Sequence, residues 1–258
     1  MVFLNMPYSH PRDFTLGKYR KLCRLLKDQY TFTTVSEYLS KRPDGHIAIL
    51  RHDVDRKINN ALKMAESEYG MSIHSTYYFR FPYTFNPEAI RKINGLGHET
   101  GYHYEVLSKT KGDYQKAIAL FQSELETFRK VSTVDTICMH GQPLSSIDNR
   151  DLWKKYDFHK YGIKGEAYLS IGEVNYFTDT GRSWSNKNNV SDFIGKNKKI
   201  RQPATTDDLM RVIQENEYPV LYLTIHPERW ADSTLEWIIW SSVDFLFNQG
   251  KRGLSLLR

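Results

Sequence analysis

Short apolar runs alternate with stretches of helical periodicity from about residue 46 onward. That alternation restricts the chain to an α/β fold with mostly parallel strands. Strands are expected at 46–50 (HIAIL), 73–81 (IHSTYYFRF), 97–103, 136–140 (TICMH) and 220–225 (VLYLTI), with one or two more within 168–178. Apolar residues recur at helical spacing over 13–30, 59–69, 87–96, 113–129, 149–156, 206–216 and 235–248. Gly70 stands where the second of these helices should stop. Pro87 suits a first helical turn and Thr206 an N-cap. About seven strands, most followed by a helix, are met economically by a (β/α) barrel, complete or irregular. A chain of 258 residues suits one such domain spanning 1–258. The helices at 13–30 and 235–248 are expected to pack on it.

In a (β/α) barrel, chemistry gathers at the C-terminal ends of the strands. Asp53 and Asp55 follow the first apolar run, His103 the third, His140 the fourth and His226 the last. Within Arg51-His52-Asp53-Val54-Asp55, alternate side chains of an extended strand share a face, so Arg51, Asp53 and Asp55 point together. Two close carboxylates repel unless a cation or Arg51 neutralises one of them, or one pKa rises. A division of labour follows, in which one carboxylate holds a metal and the other accepts a proton from water. The bland alternative is an Asp capping the next helix. In GHETGYHYE, Glu99, Gly101 and His103 share a face, and His103 at the strand end presents an imidazole that can bind metal. His98 faces the other way and is expected to be structural. His140 and His226 each suit a ligand, a general acid or a backbone-bonded histidine.

Composition bounds the rest. Hydrophobic residues make up 40% and charged residues 26%, as in an ordinary globular protein, and disorder is not indicated. The net charge of +6 is mild, and its densest run, KNKKIR at 196–201, reads as a solvated loop. No zinc knuckle, helix-turn-helix or basic-aromatic signature points to nucleic acid. Cys23 and Cys138 form no disulfide framework. The first residues lack a basic stretch followed by an apolar one, and there is no run of about 18 apolar residues to form an integral membrane segment. A cytoplasmic location is therefore expected. The 17 Tyr and 5 Trp suit a cleft for sugars as well as they suit a Tyr-rich core. Asp179, Arg182 and Trp184 in YFTDTGRSW read either as a substrate loop or as a solvent turn. Arg182 suits a phosphate or carboxylate.

Five segments together resemble the NodB-homology polysaccharide deacetylases, carbohydrate esterase family four. LRHDVD is similar to the family's first motif in a D-x-D form, SIHSTYYFR to its second strand, and GHETGYH to the stretch that leads into its metal histidine. CMHGQP lies where its third motif stands, and VLYLTIHPERW resembles its last motif. The likeness spans roughly 47–230. It implies a NodB-like distorted barrel and a zinc or similar divalent ion. It implies Asp53 as catalytic base, Asp55 and His103 as metal ligands, and His226 as the acid that protonates the leaving amine. Two positions depart from the family. Its usual second histidine is Leu107 here, so the third ligand lies open between His140, the preferred candidate, and Glu105. Its third-motif arginine is replaced around His140. Arg51, Tyr104, Arg182 and Trp184 are expected to meet substrate.

The implied activity is a metal-dependent carbohydrate N-deacetylase. It would hydrolyse the acyl group from an amino sugar or glycan precursor, with surface polysaccharide biosynthesis as the expected setting. A nucleotide-sugar glycosyltransferase using Asp53-Val54-Asp55 and a non-catalytic glycan-binding relative are the alternatives.

Overall fold

The computed structural model describes residues 12–141, 147–185, 203–215 and 218–243. The chain builds one sheet whose every pairing is parallel. Its strands are β1 (Thr31–Phe32), β2 (Ile47–Val54), β3 (Thr76–Arg80), β4 (Glu99–Tyr104), β5 (Thr136–Met139), β6 (Gly165–Glu166), β7 (Asn175–Thr178) and β8 (Val220–Ile225). Seven of them follow the order β6-β5-β4-β3-β2-β8-β7, and β1 pairs only with the start of β2. The sheet curls into a half-barrel, and among the described residues β6 and β7 do not pair. The curl is tied across the interior by Tyr222 of β8, whose hydroxyl donates to the carbonyl of Ala167 just after β6, at 3.1 Å. The expected barrel is thus irregular rather than closed.

The helices are α1 (Leu16–Gln29), α2 (Val35–Lys41), α3 (Ile58–Tyr69), α4 (Pro87–Gly95), α5 (Val106–Lys109), α6 (Tyr114–Arg129), α7 (Leu152–Lys155) and α8 (Thr206–Glu215). A further helical stretch covers 234–243, so the later part of the helix expected at 235–248 lies outside the described residues, as does the basic run at 196–201. The N-cap of α8 is Thr205 rather than Thr206. Thr205 Oγ1 accepts from Asp208 N at 3.0 Å, and Asp208 Oδ2 accepts from Thr205 N at 3.1 Å. No described helix is long and apolar enough to cross a membrane.

The pleat of the strands sorts their residues into two environments. Ala48 and Leu50 of β2 face one way and join α1 and α8 in a cluster with Tyr19, Leu22, Leu209 and Trp230. Ile49 faces the interior, followed along the same row by Arg51 and Asp53. Gly101 is required there. A Cβ at that position would come within 2.5 Å of the Tyr78 ring and 2.8 Å of the Thr136 carbonyl. Its absence lets β4 lie against Tyr78 and sets the position of His103, two residues on.

Candidate metal centre and its flanking acid and base

β2 runs farther than its apolar start suggests, to Val54, so Asp53 sits within the strand and Asp55 just beyond it. Asp55 folds back through a bond from its own N–H to the Asp53 carbonyl at 3.1 Å. Neither carboxylate caps α3, whose N-cap is Lys57 and carries no side-chain cap. Register places Arg80 beside His103 and His103 beside Cys138. The ends of β2, β4 and β5 therefore converge.

Asp55, His103 and His140 each turn one ligand atom into the same space, all within 4.8 Å of one another. Asp55 Oδ1 lies 3.4 Å from His103 Nε2 and 3.6 Å from His140 Nε2. Ligands bound tetrahedrally at zinc's usual bond lengths stand about 3.3–3.5 Å apart, so these separations fit an ion in their midst. Two further observations agree. Asp55 Oδ1 is buried and has no hydrogen-bond partner, a costly state unless something cationic meets it. Each imidazole also has its other nitrogen engaged: His103 Nδ1 with the Cys138 carbonyl and His140 Nδ1 with Glu105 Oε2, both at 3.0 Å. That is the outer support usual for metal-binding histidines. Burial opposes the charged form of the His140 ring, but Asp55 and Glu105 outweigh it and push its pKa up to about 9. Burial likewise opposes the charge on Asp55, and the two imidazoles hold its pKa well below the usual carboxylate range. Cys138, Asp53 and His103 form a second close group, but Arg51 occupies both oxygens of Asp53 there.

Asp53 lies beside this centre. Arg51 Nε donates to its Oδ1 at 2.8 Å and Nη2 to its Oδ2 at 2.5 Å. Burial would raise its pKa, but Arg51 and His103 prevail and hold it at about 2. Asp53 is therefore an anion throughout the neutral range. Oδ2 lies 3.8 Å from His103 Nε2.

On the far side of the curl, His226 follows β8. Its Nδ1 meets Asp179 Oδ1 at 2.6 Å, while Asp179 Oδ2 accepts from the His226 N–H at 3.0 Å and from Trp230 Nε1 at 2.8 Å. Arg229 Nη1 donates to the Asp179 carbonyl at 2.6 Å. Burial and Arg229 disfavour a charge on His226, yet Asp179 overcomes both and raises its pKa. The ring is thus left with Nε2 as its remaining donor. Asp179 stands directly after β7, and the same strand-end rule that singles out the histidines applies to it. Glu228, two residues past His226, is a further acid that the sequence reading missed. Its Oε2 is buried and unpartnered, and burial, then the charge of Asp55, push its pKa up to about 7.

The four expected substrate contacts fare differently. Arg51 is wholly enclosed, bound to Asp53 and with Nη2 also donating to the Tyr168 hydroxyl at 2.6 Å. Tyr104 follows His103 by one residue and so points to the opposite face. There it is buried against Phe121 and Trp153, whose Nε1 donates to its hydroxyl at 2.8 Å. Trp184 is 1% exposed, packed by Phe14 and Trp230, and donates to Thr206 Oγ1, so it is core. Arg182 alone is half-buried on the loop three residues beyond Asp179. Glu105, the other candidate for third ligand, bonds to His140 instead.

No protein-family model and no curated protein matches the sequence. Solved structures do resemble the fold. A family 4 carbohydrate esterase pseudoenzyme from Bacillus anthracis is 12% identical with a TM-score of 0.46, covering 81% of this chain and 62% of its own. A Streptococcus mutans esterase of that family is 13% identical with a TM-score of 0.45, covering 84% of this chain and 85% of its own. A second family 4 carbohydrate esterase from Bacillus anthracis is 13% identical with a TM-score of 0.41, covering 99% and 94%. The chain thus spans less than two thirds of the pseudoenzyme's length.

Proposed function

We propose that this protein is a metal-dependent hydrolase of the NodB-homology type, in a divergent branch, that removes an N-acyl group from an amino sugar or glycan precursor. The observation that carries this reading is the unpartnered oxygen of Asp55 facing two imidazoles whose outer nitrogens are already engaged. A divalent ion such as Zn²⁺, held by Asp55, His103 and His140, would polarise the acyl carbonyl and acidify a water.

The protein's own groups then divide the proton work. Asp53 is ionised and fixed by Arg51, so it stands ready to accept a proton at Oδ2, the oxygen nearer His103. Its low pKa makes it a weak base. It therefore suits a water that is already acidified rather than bulk water. His226, held through Nδ1 by Asp179, carries a proton at Nε2 that it would give to the departing amine. Arg182, on the loop beyond Asp179, is the surviving candidate to meet an anionic group on the substrate, such as the phosphate of a cytoplasmic sugar precursor. Two imidazoles in the centre weigh against a glycosyltransferase, whose diphosphate-bound Mg²⁺ or Mn²⁺ prefers oxygen ligands.

The test is to quantify metal in the purified protein and acetate released from N-acetylated sugar substrates. Near-stoichiometric metal, lost in His103→Ala, and a collapsed rate in Asp53→Asn are expected. Full rates in both variants would refute the assignment.

A further inference from the structure

We infer that Glu105 is the positioning residue that makes His140 a metal ligand, by holding the single proton of the neutral ring on Nδ1 and leaving the Nε2 lone pair facing Asp55 and His103. This rests on the metal-site reading above.

The ring of His140 lies between two carboxylates, Glu105 at Nδ1 and Asp55 at Nε2. A neutral imidazole carries one N–H, and whichever carboxylate takes it decides whether the ring can ligate. With the proton on Nε2, the lone pair would face away from His103 and the ring could not share an ion with it. Glu105 has the better geometry, at 3.0 Å against 3.6 Å for Asp55.

Glu105 is built for this task. It sits at the N-cap of α5, where an acidic side chain normally accepts from the helix's own N–H groups, yet it makes no such bond. Its carboxylate turns instead to His140. Arg80, the last residue of β3, donates from Nη2 to both of its oxygens at 3.1 and 3.0 Å. Lys109 approaches Oε1 to 3.9 Å. These two cations compensate a side chain only 2% exposed. Arg80 is itself steadied over the Tyr83 ring, 4.6 Å from its centroid. The backbone of His140 is held independently, by its N–H to the Tyr104 carbonyl at 2.7 Å and by Asn149 Nδ2 to its own carbonyl at 3.0 Å. Backbone and ring are thus fixed by different partners, and Glu105 governs only the ring.

The experiment measures Zn²⁺ and Co²⁺ affinity of the full chain by competition with a chromophoric chelator, for wild type, Glu105→Ala, Glu105→Gln and His140→Ala. Glu105→Ala should weaken binding about 10- to 100-fold, the usual cost of losing an outer partner of a ligating histidine. Glu105→Gln keeps an acceptor oxygen and the side-chain volume, so it should fold normally and restore part of that loss. The Co²⁺ absorption bands should change in His140→Ala and persist in Glu105→Gln. Wild-type affinity in both Glu105 variants, with His140→Ala impaired, would overturn this inference and leave the metal site standing. Undiminished binding in His140→Ala, or none in wild type, would remove the metal-site reading itself.

Discussion

Two clusters of histidines and carboxylates flank β2, one on each face, and they are built to opposite ends. On the outer face, Glu68 of α3 is fully buried and surrounded. Its Oε1 meets His52 Nε2 at 2.8 Å and the Tyr19 hydroxyl, and its Oε2 accepts from Ser75 at 2.5 Å and Tyr77 at 2.9 Å. His98, also in contact with Ser75, binds the Ala65 carbonyl through Nε2 at 3.0 Å, as expected for a structural histidine. On the inner face, Asp55 keeps an oxygen without a hydrogen bond, and the two imidazoles beside it turn their Nε2 atoms into the same space. The residue types are the same. What differs is satisfaction: a carboxylate that accepts four bonds from protein has nothing left for a ligand, whereas one left short of partners has.

That contrast predicts a clean exchange of phenotypes. Asp53→Asn removes the proposed proton acceptor while keeping its shape, and should cost about 10²- to 10⁴-fold in kcat, with the unfolding midpoint little moved. Glu68→Ala leaves His52, Tyr19, Tyr77 and Ser75 without their shared acceptor. It should destabilise the protein by about 3–5 kcal/mol, with the turnover of the folded fraction preserved. Denaturant unfolding and steady-state rates on the two variants check both halves. Should Glu68→Ala abolish turnover in protein shown to be folded, the separation of the two clusters is wrong.

A smaller effect sharpens the description of the inner face. Asp179→Asn removes the charge that holds His226 in its protonated form, so the pKa of His226 should fall and the alkaline limb of the kcat profile should move to lower pH. The loss at neutral pH should stay below the about 10²- to 10⁴-fold of a whole general acid, because His226 itself remains. An unmoved alkaline limb would mean that another group, with Glu228 the first to examine, donates the proton.

Much of this was legible in the sequence because both governing rules are local. The end of an apolar run marks a strand end, and that rule located Asp53, Asp55, His103, His140 and His226. Applied once more, to 175–178, it would have set Asp179 at a strand end beside His226 rather than leaving it open between a substrate loop and a solvent turn. The period of two would also have corrected Tyr104, which must face away from His103 because it follows it directly. Trp184 was not legible in this way, since its burial depends on Phe14 and Trp230, both remote in sequence. The preference for His140 over Glu105 as third ligand rested on the same strand-end rule, whereas the contact between Glu105 and the His140 ring depends on β4 and β5 lying side by side. β1 and α2 were missed because two and seven residues carry too little periodicity, although the T-x-x-E of Thr34 and Glu37 spells the capping box that opens α2.

The two faces should also fail at opposite ends of the pH scale. Burial works against the charge on Glu68, but His52, its hydrogen bond and His98 hold the folded pKa at about 2 against an ordinary 4.5. The stability this contributes is present above about 4.5 and is lost as pH falls toward 2. His140 has the reverse sign in the metal-free protein. Its folded pKa of about 9 exceeds the ordinary 6.5, so its contribution is complete below 6.5 and is lost as pH rises through 9. An ion bound at the proposed centre would reverse that upper limb, because it would have to displace the proton of His140. Apparent metal affinity should therefore climb by about tenfold per pH unit between 7 and 9 and level off above. Chelator competition across that interval, paired with unfolding of the metal-free protein, reads both trends at once. A flat affinity there would mean that the His140 ring is neutral before any ion arrives, and that Asp55 and Glu105 do not hold a proton between them.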